Sequence, residues 1–422
     1  MKKVREGYKK TLAGEIPEEW GDEELNKLVD KITDGTHKTP TYTESGIPFL
    51  RVTDIQKSEI DWSNVKYISQ EEHVELIKRC NPEIGDILYS KNGTIGIPKI
   101  IDWDNEFSIF VSLCLIKMKK QESCIYNKYL EQFLKSDSCM RQIRLRAKQG
   151  TVTNLHLEEI RELIIPIPTI KEQEKIASIL SNVDEQIDNV DALIEKNKEL
   201  KKGLMQTLLT KGIGHTKIKK TEIGEIPEEW EVVSLSEITD VRDGTHDSPK
   251  YLDLGIPFIT SKNLKENKID FSEVNFISEE DHIKFSQRSN VENGDILFGM
   301  IGTIGSPVIV KKEFEFSIKN VALIKFNKSS INNKYILNLL KSSMIENQFL
   351  KLSNGGVQKF ISLSTIRELQ IPVPEVEEQE KIASVLSVVD KKIEEYENKK
   401  QKLEELKKGL MQQLLTGNIR VI

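Results

Sequence analysis

Two histidines stand three residues after an aspartate, across a glycine and a threonine: Asp34-Gly35-Thr36-His37 and Asp243-Gly244-Thr245-His246. An Asp–His pair can orient and run a proton transfer, as in hydrolysis, but that chemistry needs a nucleophile or a metal as third party. Neither accompanies it here. The sequence has no nucleophile motif, no His-Glu-x-x-His and no Gly-x-x-x-x-Gly-Lys-Ser/Thr loop. The tetrapeptide therefore reads as a loop in which Asp and Thr side chains satisfy backbone amides. Gly93-Thr94-Ile95-Gly96 and Gly302-Thr303-Ile304-Gly305 are too short for a dinucleotide fingerprint. Each is a plain hairpin turn or a loop that touches a ligand backbone. An Asn-Pro-Pro-Tyr/Phe tetrapeptide, which would mark a methyl-donor enzyme, is also absent. Arg141, Arg144, Arg146 and Lys148 form a basic run that suits a solvated face or a phosphate contact. The chain reads as a recogniser.

What positions these residues is a duplication. Gly14–Trp20 (Gly-Glu-Ile-Pro-Glu-Glu-Trp) returns letter for letter as Gly224–Trp230, and Glu172–Ser178 returns as Glu378–Ser384. Lys201–Gln206 returns as Lys407–Gln412. The period far exceeds that of a solenoid unit; it is a tandem copy of a whole domain plus a long helix. Within each copy a mixed segment has strand-like runs at Ile47–Val52, Asp86–Tyr89 and Ser108–Met118, matched by Ile256–Thr260, Asp295–Phe298 and Ser317–Phe326. A shorter helix over about Lys128–Lys148 and about Lys334–Leu352 follows. Then comes an Ile-Pro-Ile/Val-Pro boundary that cannot be helical.

Beyond each boundary the spacing predicts a long helix, over about Ile170–Leu209 and about Val376–Leu415. Ile176, Leu180, Val183, Ile187, Leu200 and Leu204 make an apolar stripe on the first. Ile382, Leu386, Val389, Ile393, Leu403 and Leu410 make one on the second. Such a stripe needs a partner, and the other copy's helix is at hand. A pseudo-twofold relation between the copies makes that packing antiparallel. The expected fold class is α+β: two mixed modules, each followed by a long helix, with the two helices forming an antiparallel coiled-coil spacer. The expected segments are 1–168 and 213–374 for the modules, with 169–212 and 375–422 for the spacer helices and tail.

Bulk properties narrow the setting without naming a partner. The 422 residues carry a net charge of −6. Residues 1–168 hold 25 Lys+Arg against 27 Asp+Glu, and residues 213–374 hold 20 against 22, so neither module is basic overall. Any nucleic-acid surface must be local. There is no apolar run long enough for a membrane span and no secretion-type leader. Four cysteines, all in the first copy and without Cys-x-x-Cys spacing, fit a reducing cytoplasm.

Taken together, Gly-Glu-Ile-Pro-Glu-Glu-Trp, Asp-Gly-Thr-His, Gly-Asp-Ile-Leu, Gly-Thr-Ile-Gly, Ile-Pro-x-Pro and Glu-Gln-Glu-Lys-Ile-Ala resemble the specificity subunit of type I restriction-modification systems over essentially the whole chain. The resemblance implies two target-recognition domains on double-stranded DNA, reading the halves of an asymmetric bipartite site across a gap set by the helical spacer. It also implies docking of two methyltransferase subunits, with motor-nuclease subunits in the full complex. On this reading the chain is not itself an enzyme and binds no cofactor or metal. S-adenosylmethionine, ATP and magnesium belong to the partners of an adenine-N6 methyltransferase and ATP-dependent endonuclease. Donors in loops that differ between copies are the expected DNA contacts: His37, Lys38, Lys91, Asn92, Arg141, Arg144, Gln149 and Asn154, with His246, Lys250, Lys262 and Gln358. Two rival readings stand beside it: a DNA-free scaffold tethering two proteins, and the specificity subunit of a methylation-only system.

Overall fold

Alternating apolar residues between glycines and prolines give short strands, and each copy arranges them alike. The computed structural model describes residues 4–57, 59–121, 123–146, 154–265, 267–302, 304–326, 330–352 and 360–421. The chain divides into two compact units. The first comprises Met1–Ala192 with Glu397–Ile422, the second Leu193–Tyr396. This division cuts through both long helices, whereas the sequence reading divided the chain at their starts.

In the first unit a four-stranded antiparallel sheet runs in the order Lys31–Asp34, Leu113–Lys117, Ile87–Ser90, Pro98–Ile100. A three-stranded sheet places Ile47–Leu50 between antiparallel Lys66–Ile68 and parallel Ser108–Ile109. Gly21–Glu24 pairs with Ile164–Ile167, so the Ile-Pro-Ile-Pro boundary is a strand rather than a bare linker. The second unit repeats the pattern: Asp240–Asp243, Val321–Lys325, Ile296–Gly299 and Gly305–Ile309 in one sheet, and Ile256–Ile259 between Asn275–Ile277 and Ser317–Ile318 in the other.

Two expected elements are broken. The run Ser108–Met118 is two strands in different sheets, because the chain crosses over at Phe110–Ser112. The shorter helix is two helices, Asn127–Leu134 and Asp137–Arg146, and its counterpart is Asn333–Leu340 and Ser343–Leu352. Ser136 makes the break: its hydroxyl accepts from Cys139 N at 3.1 Å, capping the second helix.

The long helices span Ile170–Lys211 and Val376–Leu414. In the first unit Asp184 pairs with Lys407 and Asp191 with Lys400, so seven residues forward on one helix is seven back on the other. The segments run antiparallel. The second unit shows the same sense: Ile213 N donates to Glu378 Oε1 and Lys201 Nζ meets Asp390 Oδ1 at 2.6 Å, twelve residues back on one chain segment and twelve forward on the other. Ile176, Leu180, Val183, Ile382, Leu386 and Val389 are buried. Ile187, Leu204, Ile393, Leu403 and Leu410 are partly buried. Leu200 departs from the stripe and is 52 % exposed. From Ile194 it is a step of six residues, which at 3.6 per turn lands about 240° around the helix. Gly203 and Gly409 face open space, with no described atom within 4 Å of a Cβ built on either.

Each unit closes on a carboxylate in the first turn of its long helix. Glu172 accepts from Trp20 Nε1 at 3.2 Å and from Arg420 Nε at 2.6 Å and Nη2 at 2.9 Å. Glu378 accepts from Trp230 Nε1 at 3.0 Å, and His215 Nε2 lies 3.0 Å from it. Arg420 and His215 both follow a left-handed glycine, Gly417 or Gly212, that ends a long helix. One closure thus uses a permanent cation and the other a titratable one.

The hydrogen bond to Glu378, with the charges of Glu378 and Glu229, raises the His215 pKa above its ordinary value. A raised folded-state pKa adds stability that is complete below the unfolded value, about 6.5, and is lost as pH rises through the folded value. The second unit should therefore lose denaturation midpoint as pH rises above about 6.5. His215→Arg, copying the first unit, should flatten that pH dependence in chemical denaturation; an unchanged slope would mean His215 does not contribute it.

Candidate nucleic-acid interface

Among the described residues, parts of the loops that differ between copies meet beside one strand crossover in each module. In the first, Thr36 bridges Phe110, and Asn92 bridges Asn154. Ser112 O accepts from Lys91 N at 2.9 Å, and Ser112 Oγ accepts from Val52 N at 3.3 Å. Gln56 reaches across to Thr94 Oγ1 at 3.2 Å. These bonds gather His37, Lys38, Asn92 and Asn154 beside one crossover. In the second module Thr245 bridges Lys319, Ile301 bridges Phe360, and Ser261 Oγ donates to Asn320 O at 3.4 Å.

Close backbone approach explains the glycine of Asp-Gly-Thr-His. A Cβ on Gly35 would stand 2.0 Å from Ile109 O, and one on Gly244 would stand 2.4 Å from Ile318 O. Any side chain there would push the strand Ser108–Ile109 or Ser317–Ile318 away. The threonine behaves as expected: Thr36 Oγ1 accepts from Lys38 N at 3.2 Å and Thr245 Oγ1 from Asp247 N at 3.0 Å. The aspartate does not serve backbone amides. Asp34 is buried and holds Arg79, Lys91 Nζ at 3.4 Å and His37 Nε2 at 3.2 Å. Asp243 holds Arg288 and His246 Nε2 at 2.9 Å, and His246 Nδ1 lies 2.7 Å from Asn320 Oδ1. Each buried carboxylate is held by an arginine and a histidine, and in the first module also by Lys91, and its charge-assisted bond to the arginine fixes the loop.

Lys91 is therefore not a free donor. Its side chain is almost fully buried on Asp34, because residue 91 follows the inner strand Ile87–Ser90 and points into the module. Met300, equally buried, takes its place in the second module. His37, Lys38, Asn154, His246, Lys250 and Lys262 are exposed, and Asn92 is half-buried. Arg144 is exposed, whereas Arg141 donates to Ala13 O at 3.2 Å and sits against the N-terminal hairpin. Gln149 and Gln358 lie outside the described residues. Sequence reasoning missed Arg79 and Arg288, although both stand 45 residues after their aspartate, a recurrence open to view. Among the described residues, no group of three or more His, Cys, Asp or Glu could hold a metal, and no helix is long and apolar enough to cross a membrane.

The sequence profile of the type I restriction modification DNA specificity domain matches residues 17–201 and 227–405. The chain is 32% identical over 432 aligned positions to a protein of Methanocaldococcus jannaschii named as the MjaX type I restriction enzyme specificity subunit, covering 99% of this chain and 97% of that one. It is 27% identical to the MjaVIII specificity subunit of the same organism, over 99% and 96%. The crystal structure of the type I restriction-modification S subunit from M. genitalium superposes with a TM-score of 0.57 at 18% identity, covering 98% and 97%. That likeness speaks to fold.

Removing Asp34 should cost far more than removing its lysine. Asp34→Ala strands Lys91 buried and unpaired and should destabilise the first unit by about 3–5 kcal/mol. Lys91→Met copies the second module and leaves Asp34 paired with Arg79, so it should cost clearly less than Asp34→Ala. Denaturation of the two variants checks the order, and equal losses would refute the hub.

Proposed function

The chain belongs to the family of type I restriction modification DNA specificity proteins, and from that premise we propose that each of its two modules reads one half of an asymmetric, gapped site in double-stranded DNA. The recognition modules are residues 1–168 and 213–374, and the spacer helices within 169–212 and 375–422, the latter ending in a tail, fix the gap. Two methyltransferase subunits dock on this frame, and motor-nuclease subunits complete the restriction complex. S-adenosylmethionine, ATP and magnesium are held by those partners, so this chain contributes selection rather than bond-making.

One observation carries the reading. Scaffold residues recur between the copies (Asp34 and Asp243, Arg79 and Arg288, Gly35 and Gly244, with His37 and His246 on the aspartates), while Asn92 and Asn154 give way to Ile301 and Phe360 and Lys38 to Asp247. A duplicated frame imitates the twofold symmetry of a dimer and lets each half read a different sequence. His37, Lys38, Asn92 and Asn154 read the first half, and His246, Lys250 and Lys262 the second. Arg144 serves phosphate. Net acidity is no obstacle, since phosphate contact needs only a local cluster of cations.

Coexpression with the cognate methyltransferase, followed by genome-wide mapping of methylated adenines, should return a two-part, non-palindromic motif. Asn154→Ala should relax or weaken the first half alone, by about 1–3 kcal/mol in discrimination at one base pair. Equal loss at both halves, or a perfect palindrome for the parent protein, would contradict local reading by two distinct modules.

A further inference from the structure

One isolated backbone bridge carries opposite chemistry in the two modules. In the first it joins Asn92 to Asn154; in the second, at the corresponding places, it joins Ile301 to Phe360. The backbone is the same in both: Leu155 N donates to Lys91 O at 2.8 Å, and Ile361 N donates to Met300 O at 2.9 Å. The inward neighbours Met300 and Ile361 are buried, but Ile301 is 40 % and Phe360 51 % exposed. Closing this bridge does not require apolar side chains, because the first module closes it with two amides. Their exposure is thus a choice of surface, not of scaffold.

The surroundings say what that surface meets. Ile301 lies two residues beyond Gly299, which pairs with Val321, the neighbour of Asn320. Asn320, at φ +52, engages His246. Through this register the apolar pair lies on the same strand end as Asn320, the partner of His246, which is assigned above to the second half-site. A docking patch for two copies of one methyltransferase would need the same chemistry in both modules. A base reader needs different chemistry, and that is what the bridge displays. In the major groove the one apolar feature of a base edge is the C5-methyl group of thymine, while amides suit hydrogen-bonding edges.

We propose that Ile301 and Phe360 form an apolar reader that packs on the methyl group of a thymine in the second half-site, opposite in kind to the Asn92–Asn154 reader of the first. This rests on the reading that the loop face meets DNA. The test uses the full chain in complex with its methyltransferase and a synthetic duplex carrying the motif mapped for the parent protein. Each thymine of the second half-site is replaced in turn by deoxyuridine, which removes only the methyl group.

One position should lower binding roughly fourfold, the worth of one buried methyl. The double variant Ile301→Asn/Phe360→Asn should lose that sensitivity and change the mapped base at that position. Its first half-site should still be read, which shows that the variant is folded. Indifference to deoxyuridine at every thymine, absence of thymine from the second half-site, or an unaltered motif in the double variant would overturn the proposal while leaving two-module reading intact. No gapped motif for the parent complex would instead sink the reading beneath it, and this proposal with it.

Discussion

A carboxylate at the first turn of each long helix, buried at Glu172 and half-buried at Glu378, holds the rest of its unit's frame in place. Glu172 gathers the Trp20 indole from the N-terminal hairpin and the Arg420 guanidinium from the tail; Glu378 gathers Trp230 and His215. Burial pushes the Glu172 carboxyl above the usual range, so the site is costly unless its partners stay in place. The carboxylate sits where the helix dipole favours negative charge, and each bond to it is charge-assisted or comes from a buried donor. Losing any partner would expose a desolvated charge. That penalty makes hairpin, helix start and tail one cooperative joint in each unit.

The joint also explains why so much of the fold could be read from sequence. Gly-Glu-Ile-Pro-Glu-Glu-Trp and Glu-Gln-Glu-Lys-Ile-Ala recur because they supply the two sides of the joint, the indole and the carboxylate. Gln173 and Gln379 in the second motif make a further tie: their side-chain oxygens accept from Tyr126 N at 2.7 Å and Asn332 N at 2.9 Å. The long helices were legible from their stripes, because burial at three- and four-residue steps leaves few alternatives. What was not legible depends on contacts far along the chain. Ser108–Met118 has the apolar content of one strand, yet Phe110–Ser112 must cross between sheets to meet Thr36 and Leu50. No local pattern marks that crossing.

Sequence pattern brought some loop residues together correctly without showing what each side chain does. His37 follows the bridged Thr36 of the recurring Asp-Gly-Thr-His, while loops that differ between the copies contain Asn92 and Asn154, which one bridge joins. Lys91 shares the same loop, but its side chain falls on the inner side of a period-two strand and answers a buried aspartate. A cation in a divergent loop looks the same in sequence whether it faces DNA or a carboxylate; only the partner at long range decides. Arg79 and Arg288 were overlooked for the converse reason, since their aspartates lie 45 residues away.

Asp34 and Asp243 show how one scaffold can carry two sets of displayed side chains. Both aspartates bind the same arginine and histidine, so the loop geometry is fixed before any displayed side chain is chosen. The first module adds a lysine to that hub and the second substitutes methionine, and the backbone bridge beside it persists through the exchange. With the backbone pinned by buried charge and by the glycine's close approach, the outward residues carry little structural duty. They are free to differ in polarity, as amides and as an apolar pair. Rigidity beneath the loop tips is therefore what allows variety at them.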